Sequence, residues 1–144
     1  MTRDSAILKA EKVLREAGLY STRARVAILN VLLDAGGPLD KNEIVRRLGT
    51  SGPDEVTVYR TLERLCEKGL VHKVFLGGRA CRFELAHNCG HIQCHPHFTC
   101  RSCGVTRCVT GVTVPLVEGL QKGYRIMRQQ VRLEGICAQC SKKT

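Results

Sequence analysis

Two cysteine pairs near the end of the chain constrain its fold more than any other feature: Cys100-x-x-Cys103 and Cys137-x-x-Cys140. Two thiolates at that spacing on a tight turn chelate one ion, and two such pairs complete a tetrahedral sulfur cage. The 33 residues between the pairs, 104–136, exceed the common zinc-ribbon spacing. A helix and a strand must therefore be inserted between the two knuckles. Structural zinc contributes apparent binding energies on the order of 10–16 kcal/mol, coupled directly to folding, which compensates the thin core of a small domain. A thioredoxin-like redox pair needs only one CxxC, at the start of a helix after a strand, and Cys100 does not open an apolar helix. An iron–sulfur cluster could use four thiolates, but its usual spacings are absent. Structural Zn2+ is the reading that ligand type and pairing favour.

The charged opening, Met1 to Glu16, holds no apolar leader, and no apolar run approaches membrane-spanning length. The expectation is a soluble cytoplasmic protein with no membrane partner. Disulfides rarely persist in that compartment, so nine cysteines argue for metal ligation or redox chemistry. An isolated one such as Cys66 reads as a buried thiol. The formal charge of +10 points to a polyanionic partner. It is shared: 15 basic residues against 11 acidic up to Leu85, and eight against two beyond it.

The first half reads as helices followed by a hairpin. Ala6, Ala10, Val13, Leu14 and Ala17 form a helical stripe stopped by Gly18. Ser21 or Thr22 caps a second helix with Val26, Ile28, Leu29, Leu32 and Leu33 inward. Asp40 and Glu43 have capping-box spacing before a short helix with Ile44, Val45 and Leu48 inward. A fourth helix has Pro53 at its first position, buries Val58, Leu62 and Leu65, and groups Thr57, Arg60 and Arg64 on another face beside Tyr59. Strands are expected at 70–76 and 79–85, joined by a turn at Gly77-Gly78. Helices and a two-stranded wing make a winged helix-turn-helix. A hydroxyl, a phenol and two guanidiniums on one helix suit phosphate and base-edge contacts in a major groove, although exposed arginines are also common on solvated helix faces.

The second half changes chemistry, with the boundary near Ala86. A short helix over Val114–Gly123, opened by Pro115, and a strand within Tyr124–Glu134 are expected. A further set of donors comprises His72, Cys81, Glu84, His87, Cys89, His91, Cys94, His95, His97 and Cys108. His95-Pro96-His97 in a strand would place both imidazoles on one face. His72 and Glu84 sit on the wing, so an ion shared by them with His95 and His97 would bridge the two domains. The density of donors supports a site more than any single histidine does.

At this point the chain resembles the ferric uptake regulator family of metal-dependent repressors, over roughly Ala10 to Cys140. The resemblance rests on Ser21-Thr22-Arg23-Ala24-Arg25, Thr57-Val58-Tyr59-Arg60-Thr61-Leu62, Gly69-Leu70-Val71-His72, Arg82-Phe83-Glu84-Leu85, His95-Pro96-His97-Phe98-Thr99-Cys100-Arg101-Ser102-Cys103-Gly104 and Gly135-Ile136-Cys137-Ala138-Gln139-Cys140. It implies an α+β protein: an N-terminal winged-helix DNA-binding domain over 1–85 and a small α/β dimerisation domain over 86–144. It implies a homodimer on an inverted-repeat DNA operator, and structural zinc on Cys100, Cys103, Cys137 and Cys140. A regulatory divalent ion would be held by Glu84, His95 and His97, with His72 as in the zinc uptake regulator branch. Cys81, Cys94 and Cys108 are further candidates. Arg25, Thr57, Tyr59, Arg60 and Arg64 are the expected DNA contacts.

Three departures from the family bear on the metal. Iron and peroxide sensors carry a ligand histidine before the third helix, where this chain has Gly36-Gly37-Pro38-Leu39. A carboxylate usually stands five residues after the second cysteine of the first pair, and here it is Cys108. Pro96 and Gln129 occupy donor positions of an additional site found in some members. A softer donor set favours zinc over iron, although Glu84 stands where zinc sensors often use cysteine. The expected function is zinc-responsive repression, with Fe2+ sensing or a thiol or peroxide switch as alternatives. An open-site hydrolase with Glu84 as base lacks an HExxH-type signature and a nucleophile elbow. Neither an enzyme nor a small-molecule substrate is expected, and a metal-buffering protein would not explain the Thr57–Arg64 helix.

Overall fold

A computed structural model of the chain describes residues 3–75, 81–86, 92–93 and 95–143. It divides into two compact units, Met1–Ala86 and His87–Thr144. The first contains α1 (Arg3–Glu16), α2 (Arg23–Asp34), β1 (Leu39–Asp40), α3 (Lys41–Leu48), α4 (Glu55–Glu67), β2 (Val71–Phe75) and β3 (Cys81–Leu85). Its strands form one antiparallel sheet in the order β1-β3-β2. This is a winged helix-turn-helix.

Local chemistry explains where these helices begin and end. Thr22 caps α2 by accepting the Arg25 N–H at 3.3 Å. At α3, Asp40 accepts the Glu43 N–H and Glu43 accepts the Asp40 N–H, each at 2.8 Å. That reciprocal box satisfies two donors that the helix itself leaves unpaired. Pro53 lies outside α4, and Asp54 is its N-cap; the expected start moves because the Asp54 carboxylate takes the Thr57 N–H at 2.9 Å. α1 and α4 end alike: Leu19 N–H donates to Leu14 O at 2.9 Å and Leu70 N–H to Leu65 O at 3.0 Å. Gly18 and Gly69, both at φ 71°, make those left-handed turns. Ala10, Leu14, Ile28, Leu29, Ile44, Val58, Leu62 and Leu65 are almost fully buried in one cluster, with Val71 and Phe83 closing it from the wing. The Gly77-Gly78 turn lies outside the described residues.

The second unit contains β4 (His97–Cys100), β5 (Thr106–Cys108), β6 (Arg132–Gly135) and α5 (Ala138–Ser141). The sheet order is β5-β4-β6, with β4–β5 antiparallel and β4–β6 parallel. The helix expected over Val114–Gly123 is not formed. Gly119 at φ 76° and Gly123 at φ 92° are left-handed, and two glutamines take backbone groups that a helical ladder would use. Gln93 Nε2 donates to Val114 O at 2.6 Å, Gln129 Nε2 donates to Pro115 O at 3.0 Å, and Gln129 Oε1 accepts the Val117 N–H at 2.8 Å. The strand expected within Tyr124–Glu134 is confined to β6. β4 likewise begins at His97, so His95 and Pro96 precede it instead of lying within a strand.

Candidate metal centres and nucleic-acid face

Parallel pairing assembles the cysteine cage. β4 and β6 run side by side with Cys100 opposite Gly135, so both strands end at the same edge and lead into their CxxC pairs. After Cys100, Gly104 at φ 75° turns the chain, and its N–H returns to Cys100 O at 2.9 Å. Arg101 N–H donates to Gly135 O at 2.8 Å, tying one knuckle to the other. A side chain at Gly135 would place its Cβ 3.2 Å from the Phe98 ring. Cys137 is the N-cap of α5, and Cys140 lies within that short helix, an element that sequence reading missed.

The four sulfurs lie within 4.8 Å of one another, and Cys103 Sγ is 3.8 Å from Cys137 Sγ. Four sulfurs at about 2.3 Å from a tetrahedral ion stand about 3.8 Å apart, so the cage has the dimensions of a zinc tetrathiolate. All four cysteines are free thiols. Cys100 Sγ accepts the Cys137 N–H at 3.3 Å; the Cys103 and Cys137 N–H groups draw the Cys100 thiol down to about 6. At Cys140 the Ser102 hydroxyl acts in the same direction, but the Cys137 and Cys103 sulfurs push the thiol up to about 11. Four adjacent sulfurs resist shedding all their protons unless a cation balances them.

A second group of donors stands on the sheet of the same unit. His97 is 2% exposed and pairs across β4–β5 with Cys108. The His95 and His97 ring centroids are 5.0 Å apart. Ligand atoms of His95, His97 and Cys108 all lie within 4.8 Å of one another. In the first unit, His72 and Glu84 are cross-strand partners, and His72 Nε2 is 2.5 Å from Glu84 Oε1. Both side chains are largely buried.

The remaining candidates are placed otherwise. Cys81 packs beside the core of the first unit, where burial pushes its thiol up. Cys66 is half-buried, and desolvation raises its thiol to about 11, in keeping with a structural thiol. Cys94, like His87, Cys89 and His91, lies outside the described residues. The Gln129 carboxamide, at one of the two positions set apart above, is bonded to Gln93 and to the backbone at Pro115 and Val117.

On α4, Tyr59 and Arg60 are exposed, with Val56 one turn before them. Thr57 is committed to the helix cap: its hydroxyl donates to Asp54 Oδ2 at 2.8 Å. Arg64 pairs with Glu67 at 2.9 Å. Val56, Tyr59 and Arg60 are thus exposed and make no side-chain bond within the helix among the described residues, whereas Arg64 is exposed but paired. Val56 is 59% exposed and was missed, yet it lies two positions before buried Val58 and so on the opposite side of the helix. Arg25 is half-buried, its Nη1 donating to Tyr20 O at 2.9 Å.

Comparison with known proteins agrees with this architecture. Residues 16–134 match the ferric uptake regulator family. Transcriptional regulator FurA of Mycobacterium tuberculosis is 32% identical, over 95% of this chain and 93% of its own. The peroxide operon regulator of Bacillus subtilis is 28% identical, over 94% and 93%. A zinc uptake regulator complexed with zinc and DNA shares the fold at TM-score 0.66 and 22% identity, over 99% of this chain and 97% of that one. No described helix is long and apolar enough to cross a membrane. With its helix-turn-helix, its wing and its two donor groups, the chain belongs to the ferric uptake regulator family and is a metal-responsive transcription regulator, not an enzyme.

Proposed function

We propose that the protein is a zinc-responsive repressor that binds an inverted-repeat DNA operator as a homodimer in the cytoplasm. Residues 1–85 act as the DNA reader and 86–144 as the dimerisation domain. The observation that carries this reading is the division of metal donors into two groups, a closed tetrathiolate and a separate histidine group. A closed cage of four thiolates suits structural zinc, whereas a second, differently built group suits an ion that comes and goes.

In this reading Cys100, Cys103, Cys137 and Cys140 hold structural Zn2+. His95 and His97, with Glu84 and its partner His72, serve the regulatory ion; imidazole donors favour Zn2+, with Fe2+ as the competing ion. Exposed Val112, Leu116, Val117, Tyr124, Met127 and Ile136 support burial of the second unit against another copy. A dimer whose reading heads are held apart by a fixed distance matches two half-sites about 34–36 Å apart, or a multiple of that. Arg60 and Tyr59 would read the groove, with Thr57, Arg64 and Arg25 toward the backbone.

Metal analysis of the purified dimer before and after mild chelation, paired with operator binding on both samples, tests this. Zinc should fall from about two ions per chain to about one, with the dimer intact and operator affinity lost. Unchanged operator affinity after that loss, or iron as the ion removed, would refute the zinc-responsive reading.

A further inference from the structure

Helices α3 and α4 form the helix-turn-helix of the first unit, and in such a pair the second helix meets base edges with its N-terminal residues. At that end of α4, most side chains already have a task. Asp54 caps the helix and takes both the N–H and the hydroxyl of Thr57. Glu55 pairs with Lys41 of α3 at 3.8 Å. Val56, the second residue of α4, has no polar group to commit and is 59% exposed. Tyr59 and Arg60 follow it at i+3 and i+4, so the three side chains are neighbours on one surface. Val58, Leu62 and Leu65 fill the buried side instead. A β-branched residue at this place serves the isolated fold poorly: valine is a weaker helix former than alanine, and its methyl groups gain nothing from the core.

We propose that Val56 is a specificity-determining residue of the DNA reader, and that its methyl groups pack on the C5 methyl of a thymine in each half-site. This rests on the reading that α4 enters the major groove. Thymine alone presents a methyl group there, and apolar contact is how side chains read it. Cytosine at the same place lacks the methyl and offers an amino donor that valine cannot satisfy. Val56 and Arg60 stand about 6 Å apart along the helix axis, about two base steps at 3.4 Å each. Arg60 thus makes the charged contact, and Val56 adds a preference for thymine close beside it.

The test uses the full-length dimer loaded with Zn2+ and an operator selected with it from random duplex DNA. Each thymine is replaced in turn by deoxyuridine, in both half-sites, which removes the C5 methyl and leaves the hydrogen-bonding edge intact. At one thymine the wild type should bind about fourfold more weakly per half-site, the effect of one buried methyl group. Val56→Ala should lose at least that much on the thymine operator and show no further loss on the uracil one. Its melting temperature and zinc content should match the wild type, because the side chain is exposed. No uracil penalty at any thymine, or an equal penalty in wild type and Val56→Ala, overturns the proposal. A penalty that survives Val56→Ala but vanishes in Tyr59→Ala overturns it as well and gives the methyl contact to Tyr59. Arg60→Ala on the same duplexes separates the two readings. If Arg60→Ala and Val56→Ala both bind like the wild type, α4 is not the reading helix; if only Arg60→Ala binds more weakly, the Val56 assignment alone fails.

Discussion

A guanidinium's value as a DNA contact depends on what already holds it. Arg64 shares its charge with Glu67 at 2.9 Å, whereas Arg60 stands exposed beside Tyr59 on the same helix. Arg60→Ala should therefore weaken operator binding by about 5–150-fold, the 1–3 kcal/mol of a bidentate base contact, and relax preference at one base pair. Arg64→Ala should cost less and act evenly across sequences. Fluorescence anisotropy on the operator and its single-base variants, repeated across salt concentrations, separates these effects. Unchanged affinity and salt slope in Arg60→Ala would remove that residue from the interface. Thr57 shows the limit of a helical wheel. Val58, Leu62 and Leu65 indicate from sequence which side is buried, but not that Asp54 already holds the Thr57 hydroxyl.

The turn between α3 and α4 leaves Gly52 no room for a side chain. A Cβ at this position would stand 2.8 Å from Leu48 Cβ and 3.1 Å from Leu48 O. Gly52→Ala should lower stability by about 1–3 kcal/mol, as overpacking does, and depress operator affinity as α4 shifts. A neighbouring Ser51→Ala should change stability by no more than about 0.5 kcal/mol. Thermal unfolding of both variants gives the comparison, and equal melting temperatures would show that the turn relaxes freely. Local signals of this kind were legible in the chain: Asp40 with Glu43, Thr22 and Gly18 all mark real helix ends. Elements that depend on distant partners were not. β1 exists because Leu39 pairs with Phe83, and the 114–117 segment is extended because Gln93 and Gln129 bond its backbone. Pro115 and the apolar spacing around it suggested a helix because neither glutamine is near in sequence.

At the scale of the molecule, the cage and the histidine group solve different problems. Parallel β4 and β6 bring the two CxxC pairs to one edge, so the four-sulfur site could be read from spacing alone; a short chain can close such a cage in few ways. The histidine group depends on cross-strand register: Cys108, far from His97 in sequence, stands opposite it across β4–β5. If the ion at the second group selects the DNA-competent dimer, metal and operator binding are linked, and each must strengthen the other by the same factor. Linkage of this kind is typically about 5–150-fold, or 1–3 kcal/mol. Zinc titrations of the dimer with its cage filled, run with and without saturating operator DNA, should therefore differ by the same factor as operator titrations with and without zinc. Glu84→Gln should reduce both factors together if that carboxylate helps to hold the ion. Equal zinc affinities in the presence and absence of operator would mean that the ion does not select a DNA-binding state, whatever residues hold it.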